Sequence, residues 1–118
     1  MPPVDAFREV DAALRTVVTL GKTTWDTAYM RDDVANAYSE ADLDAAYREL
    51  MATQTSSDDF NRLIEFGDLE AQIYLFEELV AFQFPTARYE SIYVSYDRAE
   101  PFPFFAIADV ARAHLDAE

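Results

Sequence analysis

Residues 73–97 read IYLFEELVAFQFPTARYESIYVSYD, and this stretch decides the fold. Its last seven residues, 91–97, are the clearest strand, because their side chains alternate with the two-residue period of a β-strand. One face takes Ile92, Val94 and Tyr96, and the other takes Ser91, Tyr93 and Ser95. The aromatic and β-branched content of this run favours a strand in the same way.

Two explanations fit the segment before it, residues 68–84. Leu69, Ile73, Phe76 and Val80 have helical spacing, with Asp68 as a possible cap. Runs of β-prone residues on either side of a glutamate pair instead indicate two strands that end at Pro85. We prefer the two strands, although the turn between them lacks the Gly or Asn of a tight hairpin.

The first thirty residues predict a helix followed by a strand. Apolar residues recur at three- and four-residue spacings over residues 4–18, and Gly21 is a reasonable helix stop. Residues 24–30 are rich in aromatic and β-branched types, which predicts a strand. Trp25, Thr27 and Tyr29 are expected to share one of its faces.

Three more helices are predicted. Ser39 and the residues after it have the form of an N-terminal cap, and an apolar stripe then continues to Met51. Residues 53–57 are the most polar stretch and are predicted to be a loop before a short helix that closes at Gly67. A last helix, with Ile107 and Val110 on its apolar stripe, follows a proline-containing loop.

Together these elements predict an α+β fold for residues 1–118, a single globular domain of two layers. We expect an antiparallel sheet of about four strands with flanking helices, in the order α-β-α-α-β-β-β-α. The predicted strands have apolar or aromatic residues on both faces. The second face of the sheet therefore needs a cover as well, from a helix, a partner subunit or a ligand.

The charge balance predicts the environment of the protein. There are 23 acidic and 9 basic residues, a net charge of −14, and Lys22 is the single lysine. Carboxylates spread along the whole chain are typical of proteins from a salt-rich cytoplasm, where screening removes most of their mutual repulsion. The N-terminus lacks the features of a signal peptide, and no apolar stretch approaches the roughly 18 to 20 residues that span a bilayer. We therefore expect a cytoplasmic protein of a halophile, with no membrane partner.

No catalytic or cofactor-binding constellation is recognisable. The chain has no cysteine and one histidine, His114, so we expect neither a zinc site nor a catalytic triad. Its acidic pairs are expected by chance in so acidic a chain, and two glycines cannot build a phosphate-binding loop. Arg88 and Arg98 are the nearest approach to a basic patch, and we expect no direct binding of nucleic acid. The sequence thus predicts a protein that is not an enzyme and has no cofactor.

The aromatic residues concentrate in the predicted strands, and they exceed what one small core needs. Tyr and Phe are enriched at interfaces, which favours a homodimer or another protein partner. The leading hypothesis is a protein-interaction or regulatory module, and the alternative is a small-molecule sensor with a pocket between sheet and helices. Candidate interface or pocket residues are Trp25, Tyr29, Tyr74, Phe76, Tyr93 and Arg98.

Two resemblances bear on the fold. Residues 66–71 (FGDLEA), 82–85 (FQFP) and 94–98 (VSYDR) resemble a family of small, uncharacterised acidic proteins of halophilic archaea. The order of predicted elements is similar to that of roadblock-type dimerisation modules, which place two strands between their first two helices. Here one such strand is predicted, unless residues 35–38 form a short second one. The second resemblance is one of topology and implies a fold rather than a function.

Overall fold

The computed structural model describes residues 2–86 and 89–115, except for the side chain of Thr55. In chain order the elements are α1 (Val4–Arg8), β1 (Leu14–Leu20), β2 (Trp25–Met30), α2 (Asp32–Ala37), α3 (Glu40–Leu63), β3 (Gln72–Leu75), β4 (Leu79–Pro85), β5 (Ser91–Asp97) and α4 (Phe104–His114). The strands form one antiparallel sheet in the order β2-β1-β5-β4-β3. The predicted α+β class is confirmed, with five strands where about four were expected.

β1 is the strand that the predicted order lacks. The expected helix over residues 4–18 ends at Arg8, and the second half of that stretch is β1. β1 lies between β2 and β5, and six of its seven residues are buried. A strand buried on both faces does not alternate between apolar and polar residues, so its valines also satisfy a helical spacing.

A bulge in β2 changes which side chains share a face. Val17 pairs with Tyr29 and Val18 with Thr27, so Ala28 has no partner in the ladder. The extra residue reverses the alternation of side chains along the strand. Trp25 therefore packs in the cluster beneath α3, whereas Tyr29 packs on the opposite face, and the predicted common face is wrong.

The helices between β2 and β3 also differ from the prediction. Residues 32–37 form α2, so the suggested short strand at 35–38 is absent. The predicted loop at 53–57 is wrong because α3 continues through it to Leu63. Its polar side chains bond to the helix backbone: Thr53 donates to the Glu49 carbonyl, and Ser57 to the Gln54 carbonyl. None of the described helices is both long and apolar enough to cross a bilayer.

Local signals were reliable at the start of α3 and in the C-terminal half. Ser39 and Asp42 form a reciprocal capping box, as predicted. The preferred interpretation of residues 68–84 is confirmed, because β3 and β4 pair in antiparallel fashion. The Phe76 N–H donates to the Leu79 carbonyl at 2.9 Å and closes the turn between them. β5 occupies the predicted range 91–97.

Helices cover both faces of the sheet. Over one face, α1 and α4 close the larger core, in which Phe82 stacks on Phe84 and Tyr96 donates from its hydroxyl to the Phe7 carbonyl. Over the other, α3 packs Tyr47 against Val18 and Leu20. The cover that the second face needs is thus supplied, over this cluster, by a helix of the same chain.

Candidate functional site

Exposed apolar side chains are concentrated in one stretch of the chain, which includes the edge strand β3. Among the described residues, nine large hydrophobic side chains are exposed, and seven of them lie between residues 60 and 76. We call these seven the apolar edge: Phe60, Leu63, Ile64, Phe66, Ile73, Leu75 and Phe76. Phe66 is 98% and Leu63 78% exposed, values that oppose the usual tendency of these residue types to be buried. Contiguous exposed apolar surface commonly marks an interaction site.

The end of α3 and the loop after it place this surface. The helix ends at Leu63, and Gly67 takes a φ of 105°, which a residue with a side chain rarely adopts. The Asn61 side-chain oxygen accepts the Leu69 N–H at 2.6 Å and ties the loop back to the helix. A groove of about 230 Å³ lies here, lined in part by Phe60, Ile64, Phe66 and Leu69. The loop thus leads directly into β3 with its apolar side chains outward.

β3 is an edge strand without charge. It pairs with β4 alone, and its sequence is Gln-Ile-Tyr-Leu. The opposite edge of the sheet, β2, carries Asp26 and is interrupted by its bulge. A charge and a bulge are devices that prevent strands from pairing at an edge, and β3 has neither. β3 is therefore the edge available to another strand.

A buried glutamine fixes β3 to the body of the protein. Gln83 of β4 has no exposed surface, and its amide donates to the Leu50 carbonyl at 2.9 Å and to Ser91 Oγ at 3.1 Å. Its oxygen accepts the Tyr74 hydroxyl of β3 at 3.0 Å. These bonds join the edge strand to α3 and β5. A buried polar network with all its members bonded holds one geometry, so the edge is held in place in the free chain.

Two of the six candidate residues meet beneath α3. Trp25 donates from Nε1 to Asp44 Oδ1 at 2.9 Å, and its ring centroid lies 4.9 Å from that of Tyr47. Tyr93 contacts the same Tyr47 ring with centroids 6.0 Å apart. Tyr29 lies on the other face of the sheet, with the Arg8 guanidinium 4.8 Å from its ring centroid. The predicted residues are therefore not arranged around a single pocket.

The other three candidates lie near β3. Tyr74 belongs to the strand, and Phe76 follows it and is 55% exposed. Arg98 donates from Nη1 to the Phe76 carbonyl at 3.0 Å, so it supports the turn between β3 and β4. Of the candidates, Phe76 alone belongs to the apolar edge. The exposed residues of 60–66 cannot be separated from core residues by sequence alone, because both have helical spacing.

An ion cluster beside β1 was not predicted. Arg31 donates to both oxygens of Asp97 at 2.8 and 3.0 Å and to both oxygens of Asp33 at 2.6 and 3.0 Å. Arg15 adds a bond from Nη1 to Asp97 Oδ1 at 2.9 Å. These hydrogen bonds, above all those from Arg31, lower the pKa of Asp97. Asp97 is 82 residues from Arg15 and 66 from Arg31, so no local pattern reveals the contact.

Replacing Asp97 with Asn is expected to lower the free energy of unfolding by about 1 kcal/mol near pH 7. The effect is this small because the side chain is partly exposed and solvent screens its ion pairs. The folded-state pKa of Asp97 is lowered, so its contribution is present above the unfolded value of about 3.9 and is lost as pH falls through the folded value. Urea unfolding of both proteins at several pH values should show that the difference between their free energies of unfolding disappears towards about pH 2. Asp11→Asn, an equal charge change at an exposed residue, controls for net charge. An undiminished difference at low pH would contradict the assignment.

Ion pairing leaves the surface strongly negative. Each arginine within residues 2–86 and 89–115 pairs with a carboxylate. Arg88, which formed the expected grouping with Arg98, lies outside the described residues. In the described part of the chain, no three acidic or histidine side chains are placed to hold a metal ion. The chemistry of this surface is therefore that of apolar contact surrounded by negative charge.

Comparison with known proteins identifies the family and the fold. A family model described as a domain of unknown function (DUF7522) matches residues 4–116. Among solved structures, one described as MglB with a tetrameric arrangement has a TM-score of 0.63 and 12% sequence identity, and the match covers 97% of this chain and 79% of that one. No curated protein matches the chain in sequence. The chain has the same roadblock-like fold as MglB, so the expected topological similarity is confirmed.

Proposed function

We propose that this chain, which belongs to the DUF7522 family of domains of unknown function, is a non-enzymatic protein-interaction module that works as a homodimer. The observation on which this rests is the apolar edge, seven exposed hydrophobic side chains that lie in the uncharged edge strand β3 or within the segments directly before and after it in the chain. The MglB structure, described as a tetrameric arrangement, supports a role for this fold in assembly.

The proposed dimer pairs β3 of one protomer with β3 of a second copy in antiparallel fashion. Such pairing joins two sheets and satisfies the outward N–H and C=O groups of both edge strands. The apolar residues beside the strand then bury one another across the two-fold axis. In a two-fold dimer the same surface of each protomer meets its own copy. One edge therefore has to supply both the strand that pairs and the apolar residues that become buried.

Cysteine cross-linking tests the location of this interface, since the chain has no cysteine of its own. Four variants each place one cysteine in β3, at Gln72, Ile73, Tyr74 or Leu75, and we expect at least one to form a disulfide-linked dimer under mild oxidation. Residues near the two-fold axis of paired strands bring their Cα atoms to about 4.5–5.5 Å, which a disulfide spans. Cysteines at Asp26 and Thr27 of β2 are the controls. Cross-links at β2 but not at β3 would contradict the proposal.

We also propose that the module works in a salt-rich cytoplasm. The net charge of −14 supports this, since the described arginines are already paired and leave most carboxylates without a cation. Concentrated salt reduces the repulsion among these carboxylates, both within a protomer and between two.

A further inference from the structure

A cavity of about 460 Å³ lies between α3 and the sheet, apart from the apolar edge. Its polar lining is formed by Arg15, Thr16, Tyr38, Asp42, Tyr47, Tyr93 and Ser95. Apolar walls come from Val34, Leu43 and Leu79. The volume falls within the range of about 300–1,000 Å³ that is usual for small-molecule sites. None of the seven residues of the apolar edge lines it.

Tyr47 brings an unused hydrogen-bonding group to this cavity. The residue is 4% exposed, and its ring is fixed between those of Trp25 and Tyr93. Within the described part of the chain, its hydroxyl makes no hydrogen bond. No wholly buried side-chain polar atom there lacks a partner, so this hydroxyl borders open space. Burial raises the pKa of Tyr47 to about 12, so the hydroxyl is a neutral donor at physiological pH.

Arg15 brings unused donors as well. Its Nη1 donates to Asp97, but Arg31 already occupies both oxygens of that carboxylate. The Nε and Nη2 groups of Arg15 have no acceptor among the described residues, and the side chain is 18% exposed. Arg31 is in turn paired with Asp33. The four-residue cluster is thus formally neutral, and the spare donors belong to Arg15.

We infer that this cavity binds a small monocarboxylate with an apolar body. Its carboxylate would accept hydrogen bonds from the Arg15 guanidinium and the Tyr47 hydroxyl, and its apolar part would lie against Val34, Leu43 and Leu79. Charge-assisted bonds of this kind are stronger than neutral ones. Asp42 at the cavity is engaged with the Ser39 N–H at 3.2 Å. Because the cluster that contains Arg15 is formally neutral and Asp42 adds a negative charge, the cavity favours a ligand with a single negative charge over a dianion.

Three probes with the same phenyl group and the same chain length test the inference: 3-phenylpropionate, 3-phenylpropionamide and 3-phenylpropylamine. Titration of the ¹⁵N-labelled protein in about 1 M KCl, followed by NMR, should shift the amide signals of Arg15, Tyr47 and Ser95 and the indole signal of Trp25. We expect the carboxylate to bind at least about ten times more tightly than the amide, and the amine to bind least. No shift at the cavity with the carboxylate, or equal binding of the three probes, would overturn the inference.

Single substitutions test which side chains contact the bound carboxylate. Tyr47→Phe removes the hydroxyl alone and should weaken carboxylate binding by roughly threefold to tenfold. Arg15→Gln should weaken it by about tenfold or more. Tyr29→Phe and Arg8→Gln make the same two changes on the opposite face of the sheet and should leave the affinity unchanged. If Arg15→Gln does not fold, the comparison of the three probes and the Tyr47→Phe variant still test whether the cavity binds a carboxylate. A Tyr47→Phe variant with undiminished affinity would overturn the assigned contact.

Discussion

The double variant L63E/F66E is expected to remain monomeric at concentrations at which the unmodified chain forms the proposed dimer. Leu63 and Phe66 are 78% and 98% exposed in the protomer and lie in the end of α3 and the loop that leads into the edge strand β3. Burying such side chains contributes roughly 1.5–3 kcal/mol each. Their loss should therefore raise the dimer dissociation constant by a hundredfold or more, about 3 kcal/mol. Glutamates in the same place would also have to lose hydration, which adds to the effect.

The same change should leave the fold of the protomer intact. Exposed side chains away from the core usually alter stability by less than about 0.5 kcal/mol, so thermal unfolding of the monomeric variant should resemble that of the dilute unmodified chain. Phe105→Glu is the matched control, because Phe105 is 79% exposed but lies in α4, away from the apolar edge. Sedimentation velocity over a range of concentrations measures both. A dimer that survives L63E/F66E, or that dissociates with Phe105→Glu, would show that the interface lies elsewhere.

The sequence predicted those parts of the fold that depend on neighbouring residues. The Ser39 capping box, the β3–β4 hairpin and β5 are determined by side chains a few positions apart, and each was located correctly. β1 was not predicted because it is buried on both faces, so its sequence lacks the alternation of apolar and polar residues by which a strand is recognised. The reversal of Tyr29 to the other face depends on a single unpaired residue, Ala28, which has no signature in the sequence.

The functional surfaces were harder to predict, for a related reason. Phe76 and Tyr74 are candidates because of their place in an aromatic strand, whereas Phe60, Leu63 and Phe66 have the same helical spacing as core residues. Only the tertiary structure shows that these last three side chains are exposed. The spare donors of Arg15 depend on Arg31 having taken both oxygens of Asp97, a contact between distant parts of the chain.

Salt is expected to stabilise the folded protomer strongly. The native chain has a radius of gyration of 13.8 Å, against roughly 35 Å when unfolded. Fourteen net negative charges repel more in the smaller volume. Raising the salt from about 0.15 M to about 1 M should increase the free energy of unfolding by about 2 kcal/mol, or the melting temperature by about 10 °C. Calorimetry in KCl measures this. An unchanged melting temperature would contradict the role proposed for the charge.

The same repulsion should make the dimer depend on salt, because two protomers of charge −14 have to meet. Screening between about 0.15 M and 1 M salt is expected to tighten the dimer by roughly tenfold. Glu65 and Asp68 flank Phe66, and E65Q/D68N should reproduce part of this tightening at low salt. E9Q/D11N removes the same two charges from exposed residues outside the apolar edge and should have a smaller effect. Sedimentation at low and high KCl distinguishes the two variants. Equal effects of both pairs would mean that total charge, and not its position beside the apolar edge, governs association.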